Sequence, residues 1–158
     1  MDGTQSQPWW IGAEVTAGPW KGWRNYRTDP FEDMTGPFYY REEADGRVVA
    51  AFRAEKKHMN GGAAMHGGLM LTFADYAIFL IAGKALEGVG SVTASLNAEF
   101  IDAASEGELI EARGEVVRAG GSLVFLRGLV TATGRPILNF SAIIKKVKPR
   151  GSADGTAA

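Results

Sequence analysis

A single acidic side chain interrupts a long apolar run. Asp75 lies within Leu69-Met70-Leu71-Thr72-Phe73-Ala74-Asp75-Tyr76-Ala77-Ile78-Phe79-Leu80-Ile81-Ala82. A carboxylate buried among such neighbours costs several kcal/mol unless it is paired or opens on a cleft. It is either a structural aspartate bonded to nearby backbone or to Tyr76, or a site carboxylate. In the second case its pKa is expected to be raised and its role is nucleophile or general base. His66-Gly67-Gly68 stands just before the run. A helix starting there presents free N–H groups and a positive dipole end, which suit a developing oxyanion. Glycine lets a reacting group approach the backbone, although a plain Gly-rich helix start would read the same. Asn60, six residues before His66, carries an amide that could bind a carbonyl or orient water. Next to Gly61-Gly62 it also reads as a turn residue. Thr93 offers a hydroxyl on the strand after the run. It could hold an attacking water or simply face solvent.

The elements that must position these residues follow from periodicity. The run 69–86 is helical by length and by its Ala, Leu and Met content. Its apolar character nearly all round predicts an enclosed helix, stopped by Gly88 and Gly90. From Ser91 the period becomes two: Val92, Ala94, Leu96, Ala98 and Phe100 are expected on the core face, and Thr93, Ser95, Asn97 and Glu99 on the other. Further strands are expected over 37–41, 48–57, 108–118, 122–133 and 137–147. Ala44-Asp45-Gly46, Ala119-Gly120-Gly121 and Gly134-Arg135-Pro136 supply the turns. Short hairpins make the sheet antiparallel. Two strands, one very apolar helix and four strands give an α+β chain whose sheet must cover the helix, which is the hotdog architecture.

Residues 1–35 form an irregular arm bearing Trp9, Trp10, Trp20 and Trp23, expected to pack its aromatics on the domain through a loop or short helix. The domain spans 36–148. Residues 149–158 have no periodicity and read as a disordered tail.

Geometry constrains the chemistry. Gly67 and Asp75 are eight residues apart on one helix, about 12 Å at 1.5 Å per residue. One reacting carbonyl cannot touch both. If both act, they come from different subunits of a two-fold dimer.

Composition removes other classes. The chain has 158 residues, 46% of them hydrophobic, and a net charge of −1. That suits one globular domain and gives no electrostatic case for nucleic acid. With no cysteine and two histidines, His58 and His66, thiolate nucleophiles, disulfides and Cys-ligated metal are excluded. No metal site is expected. The N-terminus lacks a secretory pattern, and the apolar run contains Asp75 and Lys84, so a cytoplasmic protein with no membrane span is expected.

The pattern Asn60-x5-His66-Gly67-Gly68-x6-Asp75 is followed by the strand Val92-Thr93-Ala94-Ser95-Leu96-Asn97 and a glycine hairpin after Arg118. Together they resemble the PaaI-type (phenylacetate-pathway) hotdog thioesterases over about residues 36–148. The resemblance implies hydrolysis of acyl-CoA thioesters with no cofactor beyond the coenzyme A of the substrate. It implies homodimers, commonly paired into homotetramers. It casts Asp75 as base or nucleophile, Gly67 as the oxyanion donor from the neighbouring subunit, Asn60 and His66 as orienting groups, and Thr93 as the hydroxyl placing water. Gly68 is expected to contact substrate. Among Arg113, Arg118, Arg127, Lys145, Lys146 and Lys148, Arg118 is the first candidate for the coenzyme A phosphates. The alternative is a hotdog protein that binds acyl-CoA as a sensor without turnover.

Overall fold

A computed structural model describes residues 12–26 and 28–148. Trp9, Trp10 and the tail from 149 on lie outside the described residues. Among those described, the strands are β1 (Ala13–Glu14), β2 (Arg24–Asn25), β3 (Tyr39–Glu42), β4 (Val48–Arg53), β5 (Gly90–Phe100), β6 (Leu109–Ala119), β7 (Leu123–Ala132) and β8 (Arg135–Val147). Two helices accompany them, α1 (Pro30–Thr35) and α2 (Gly67–Ile81). The strands form one antiparallel sheet in the order β1-β2-β3-β4-β6-β7-β8-β5. That sheet wraps α2.

The core lies between helix and sheet. Phe73, Ala74, Ala77 and Ile78 of α2 are sealed against Phe52, Ile110, Val124, Val130, Leu138, Phe140 and Ile144. Phe38, Phe52 and Phe73 pack edge-on or tilted, with ring centroids 4.7 to 5.3 Å apart, the arrangement that aromatic quadrupoles favour.

The strand expected over 48–57 ends at Arg53 and gives way to a 3₁₀ turn at Lys56–His58, and three further expectations need correction. First, α2 is not enclosed all round. Leu71, Thr72, Asp75 and Phe79 are only partly buried and Gly68 is exposed. At spacings of three and four these residues form one stripe on the helix, and Asp75 sits in it. Second, the α-helix ends at Ile81, and Gly83–Leu86 forms a 3₁₀ turn. Gly83 is a poor helix former, so the chain tightens before Gly88, whose φ is +72°.

Third, the strand after the helix changes phase. The β5 pairing with β8 slips between Thr93 and Ser95. This bulge inserts an extra residue, and the alternation shifts by one. Thr93 therefore turns inward while Val92 and Ala94 face out; Leu96 and Ala98 recover the inward face and pack on the core. Phe100 shares their phase, yet it leans on the start of α2 and is 56% exposed.

The described part of the arm packs on the sheet and extends it by β1 and β2. Trp20 stacks on Tyr39 at 4.4 Å, Trp23 is buried against Val49 and Ala51, and Arg41 lies 4.5 Å from the Trp23 ring centroid. Asp29 caps α1 by accepting from the N–H groups of Phe31 and Glu32 at 2.9 and 3.0 Å.

Candidate active site

The bulge in β5 delivers Thr93 to α2. The Thr93 hydroxyl donates to Asp75 Oδ1 at 2.7 Å. Asp75 Oδ2 accepts nothing within the chain among the described residues. Thr93 thus fixes one carboxylate oxygen and leaves the other facing the open stripe. A hydroxyl bonded to an ionised carboxylate is a strong, short contact. Thr93→Ala should lower kcat about ten- to a hundredfold with KM little changed, the scale of a lost charge-assisted hydrogen bond. Steady-state thioester hydrolysis checks this.

At the other end of α2, His66 is the N-cap. Its Nδ1 accepts from the Gly68 N–H at 2.9 Å. That bond requires Nδ1 unprotonated, so Nε2 carries the proton of the neutral ring and is free to donate. Gly68 therefore spends its N–H on the cap. The Gly67 N–H has no acceptor among the described residues, as the geometry of a first helical residue dictates. Phe100 covers this position: a methyl added at Gly67 would lie 3.1 Å from Phe100 Cε1.

Asn60 shapes the loop before the helix. Its Oδ1 accepts from Gly62 N–H at 2.8 Å and Ala64 N–H at 3.3 Å, and its own N–H donates to Ala64 O at 2.7 Å. The acceptor side of the amide is thus used up, and the Nδ2 donors remain for a ligand carbonyl. Both sequence readings of Asn60, turn former and carbonyl binder, are compatible with this arrangement.

Within one chain these groups fall into two sets. Thr93 and Asp75 meet at mid-helix; Gly67, Gly68 and His66 cluster at its start, beside the Asn60 loop. The continuous helix separates Gly67 from Asp75 by about 12 Å. Arg118 joins neither set. It pairs in register with Phe125, which aligns with Ile143 and then Ser95, so it lies three strand spacings, about 14 Å, from β5. Arg118 is exposed and unpaired among the described residues. Arg113 and Arg127 are engaged with Glu43 and Glu115, at 2.8 and 2.7 Å.

Sequence reasoning missed an acidic group behind the site. Glu32 of α1 has Oε2 buried with no hydrogen-bond partner, and Tyr76 Oη is in the same condition. Burial first, then the charges of Asp29 and Asp75, pushes the Glu32 carboxyl up to about 7. Burial likewise raises the Tyr26 and Tyr76 phenols. No motif marks Glu32, because the arm shows no recognisable pattern.

Its titration has a defined sign. Folded Glu32 keeps its proton between the ordinary value of 4.5 and about 7, while the unfolded chain has lost it. Stability therefore falls as pH rises through that window. Glu32→Gln should match the parent near pH 4 and exceed it above pH 7 by about 1 kcal/mol, or about 2–4 °C in Tm, after discounting for partial exposure. Thermal melts across pH measure it.

Neither a cluster of three or more His, Cys, Asp or Glu that could hold a metal nor a helix long and apolar enough to cross a membrane occurs among the described residues.

Comparison with known proteins bears on the fold and the class of activity. The thioesterase superfamily model matches residues 62–138, which contain α2, β5, β6 and β7. A candidate esterase of Pseudomonas aeruginosa is 29% identical over 119 residues, covering 75% of this chain and 89% of its own. Human acyl-coenzyme A thioesterase 13 is 28% identical over 109 residues, 68% of this chain and 78% of its own. The E. coli PaaI protein superposes with a TM-score of 0.67 at 16% identity, covering 76% of this chain and 86% of its own. These matches liken the chain to the thioesterase superfamily, with the hotdog fold and thioester hydrolysis as its class of activity.

Proposed function

We propose that the chain hydrolyses acyl-CoA thioesters to a carboxylic acid and free coenzyme A, using two composite sites in a homodimer and no cofactor. Asp75 of one subunit takes a proton from water as the oxygen attacks the thioester carbonyl, or attacks that carbon itself. The Gly67 N–H of the partner subunit receives the oxyanion, helped by Asn60 and His66 beside it. The intermediate collapses, the C–S bond breaks, and the coenzyme A sulfur takes up the proton; where Asp75 itself has attacked, water then cleaves the acyl–Asp75 anhydride, releasing the acid and supplying that proton. Thr93 orients the carboxylate throughout.

One observation carries this reading. Asp75 is held at one oxygen by Thr93 and free at the other among the described residues, on a partly open stripe of a helix that is largely sealed elsewhere. An aspartate buried in a helix for structure alone would need both oxygens bonded. The dimer is supported by β5. It is the terminal strand of the sheet, eleven residues long without proline, and exposes Val92 and Phe100. Such an edge invites pairing with a second copy. Antiparallel pairing of two β5 edges across a two-fold axis would set one helix's start against the other's middle, and would cover Leu71 and Phe79. Val117 and Phe125 are exposed, Val117 at the bulge of β6 next to the Arg118–Phe125 pair. They suit a second contact that pairs dimers into a tetramer.

Thiol release from a series of acyl-CoA thioesters tests the activity. Turnover by the wild-type chain is expected. Tight acyl-CoA binding without any thiol release would replace hydrolysis by the sensor role. Single turnover in ¹⁸O water then separates base from nucleophile, since label in the Asp75 carboxylate marks covalent attack.

A further inference from the structure

A cleft of about 630 Å³ opens beside the start of α2. One wall is α1, through Phe31 and Met34. The floor and opposite wall come from Met59, Leu69 and Thr72, and His66 and Gly68 stand at its mouth. Those two residues flank the unpaired Gly67 N–H. A thioester carbonyl bonded to that N–H would have its acyl group at the opening. Phe31 and Met34 are three apart on one face of α1, and are 55% and 66% exposed. They are large apolar side chains on a short helix, and no described residue covers them.

The wall is built to stay in place. Asp29 caps α1, and its last turn is held by the Gly36 N–H bonded to Glu32 O at 2.7 Å. The buried ring of His58 joins Thr35 O through Nε2 at 2.8 Å, and Lys57 Nζ donates to Gly36 O. The His58 Nδ1 accepts from the Glu55 N–H at 2.9 Å, so Nε2 carries the proton and donates. Lys57 is the cation in the cleft, and it is committed to Gly36 O and to Glu55 at 3.9 Å. Glu55 partly offsets that charge and a backbone carbonyl holds it, so a carboxylate at the far end of an acyl group gains little there. The volume falls in the range of small-molecule pockets. Methionine adapts to flexible alkyl groups.

We propose that this cleft receives the acyl chain, and that Phe31 and Met34 make the enzyme selective for uncharged, medium-length alkyl thioesters. This rests on the thioesterase reading above and adds the substrate class. The wall comes from residues 30–35, outside the span 62–138 matched by the family model, so the selectivity belongs to this chain's own arm.

The test measures kcat/KM for straight-chain acyl-CoAs from butanoyl to hexadecanoyl, with phenylacetyl-CoA and a dicarboxylic thioester alongside. Wild type should gain about threefold to fourfold per methylene up to a medium length, the factor for burying one CH₂, and then level off. It should discriminate against the dicarboxylic substrate. Met34→Trp, which fills the cleft from an exposed position, should lower the decanoyl-to-butanoyl ratio of kcat/KM at least tenfold. Phe31→Ala should flatten the slope. Ratios unchanged in both variants, or a wild-type preference for phenylacetyl over every alkyl chain, would overturn the proposal while leaving hydrolysis intact. Calorimetric binding of decanoyl-CoA to Asp75→Asn, with and without Met34→Trp, reads the same cleft without turnover. Weaker binding with Met34→Trp supports the cleft even for a chain that hydrolyses nothing, and equal binding refutes it.

Discussion

Asp75→Asn is expected to lower kcat for thioester hydrolysis by about 10²–10⁴, the range for loss of a positioned acid–base group. Asparagine has nearly the same size, keeps an oxygen to accept from Thr93 Oγ1, and cannot take a proton from water or attack as a carboxylate. The helix should stay folded, because Asp75 faces the open stripe and not the sealed core. KM should change little, since the group acts on the reacting atoms and not on the coenzyme A portion. Removing the Asp75 charge also removes one of the influences that hold the Glu32 carboxyl up, so Glu32 should titrate lower in this variant. Steady-state kinetics, with thermal melts as the control, checks both the loss and the intact fold. Activity within twofold of wild type would show that the carboxylate is structural.

Gly67→Pro is the second large effect. Proline removes the backbone N–H, which is the group assigned to the oxyanion. The first helical position tolerates proline well, because its N–H has no intrahelical partner and its φ suits the ring. The residue before a proline must be extended, and His66 already is, at φ −66° and ψ 130°. The added ring meets Phe100, the exposed end of an aromatic side chain that has room to swing away. The expected loss in kcat is about 10²–10³, as for deletion of one oxyanion donor. Gly67→Ala retains the N–H and should retain most of the activity, apart from the displacement of Phe100. The contrast between Ala and Pro at one position separates loss of the donor from crowding.

Much of this architecture is legible in the residues. The helix shows because fourteen positions from Leu69 to Ala82 carry one charge among apolar neighbours. The strands show because a half-buried sheet demands a period of two. Asp75 stands out for the same reason, as a charge whose burial needs explaining. Other features follow from contacts that a linear pattern does not encode. A bulge at Thr93 reverses the alternation of β5, so a strict period puts Thr93 on the wrong face. That reversal is what brings its hydroxyl to the carboxylate. The strands β1 and β2 are two residues each, too short to carry any periodicity. Glu32 looks like an ordinary surface acid on a six-residue helix, and only packing of α1 on α2 desolvates it. The open stripe on α2 is likewise invisible, because Leu71 and Phe79 are as apolar as the residues that are sealed.

The central claim is that each site draws Asp75 from one subunit and Gly67 from the other. Mixing the two inactive variants addresses it directly. Asp75→Asn and Gly67→Pro chains, unfolded together in equal amounts and refolded, form heterodimers in half of the random pairings. With shared sites, every heterodimer holds one site with both native groups and one with neither, so about a quarter of wild-type activity should return. With each site built inside a single chain, no pairing restores a native site. Activity no higher than the sum of the two variants, in a mixture shown to contain heterodimers, would contradict the shared site.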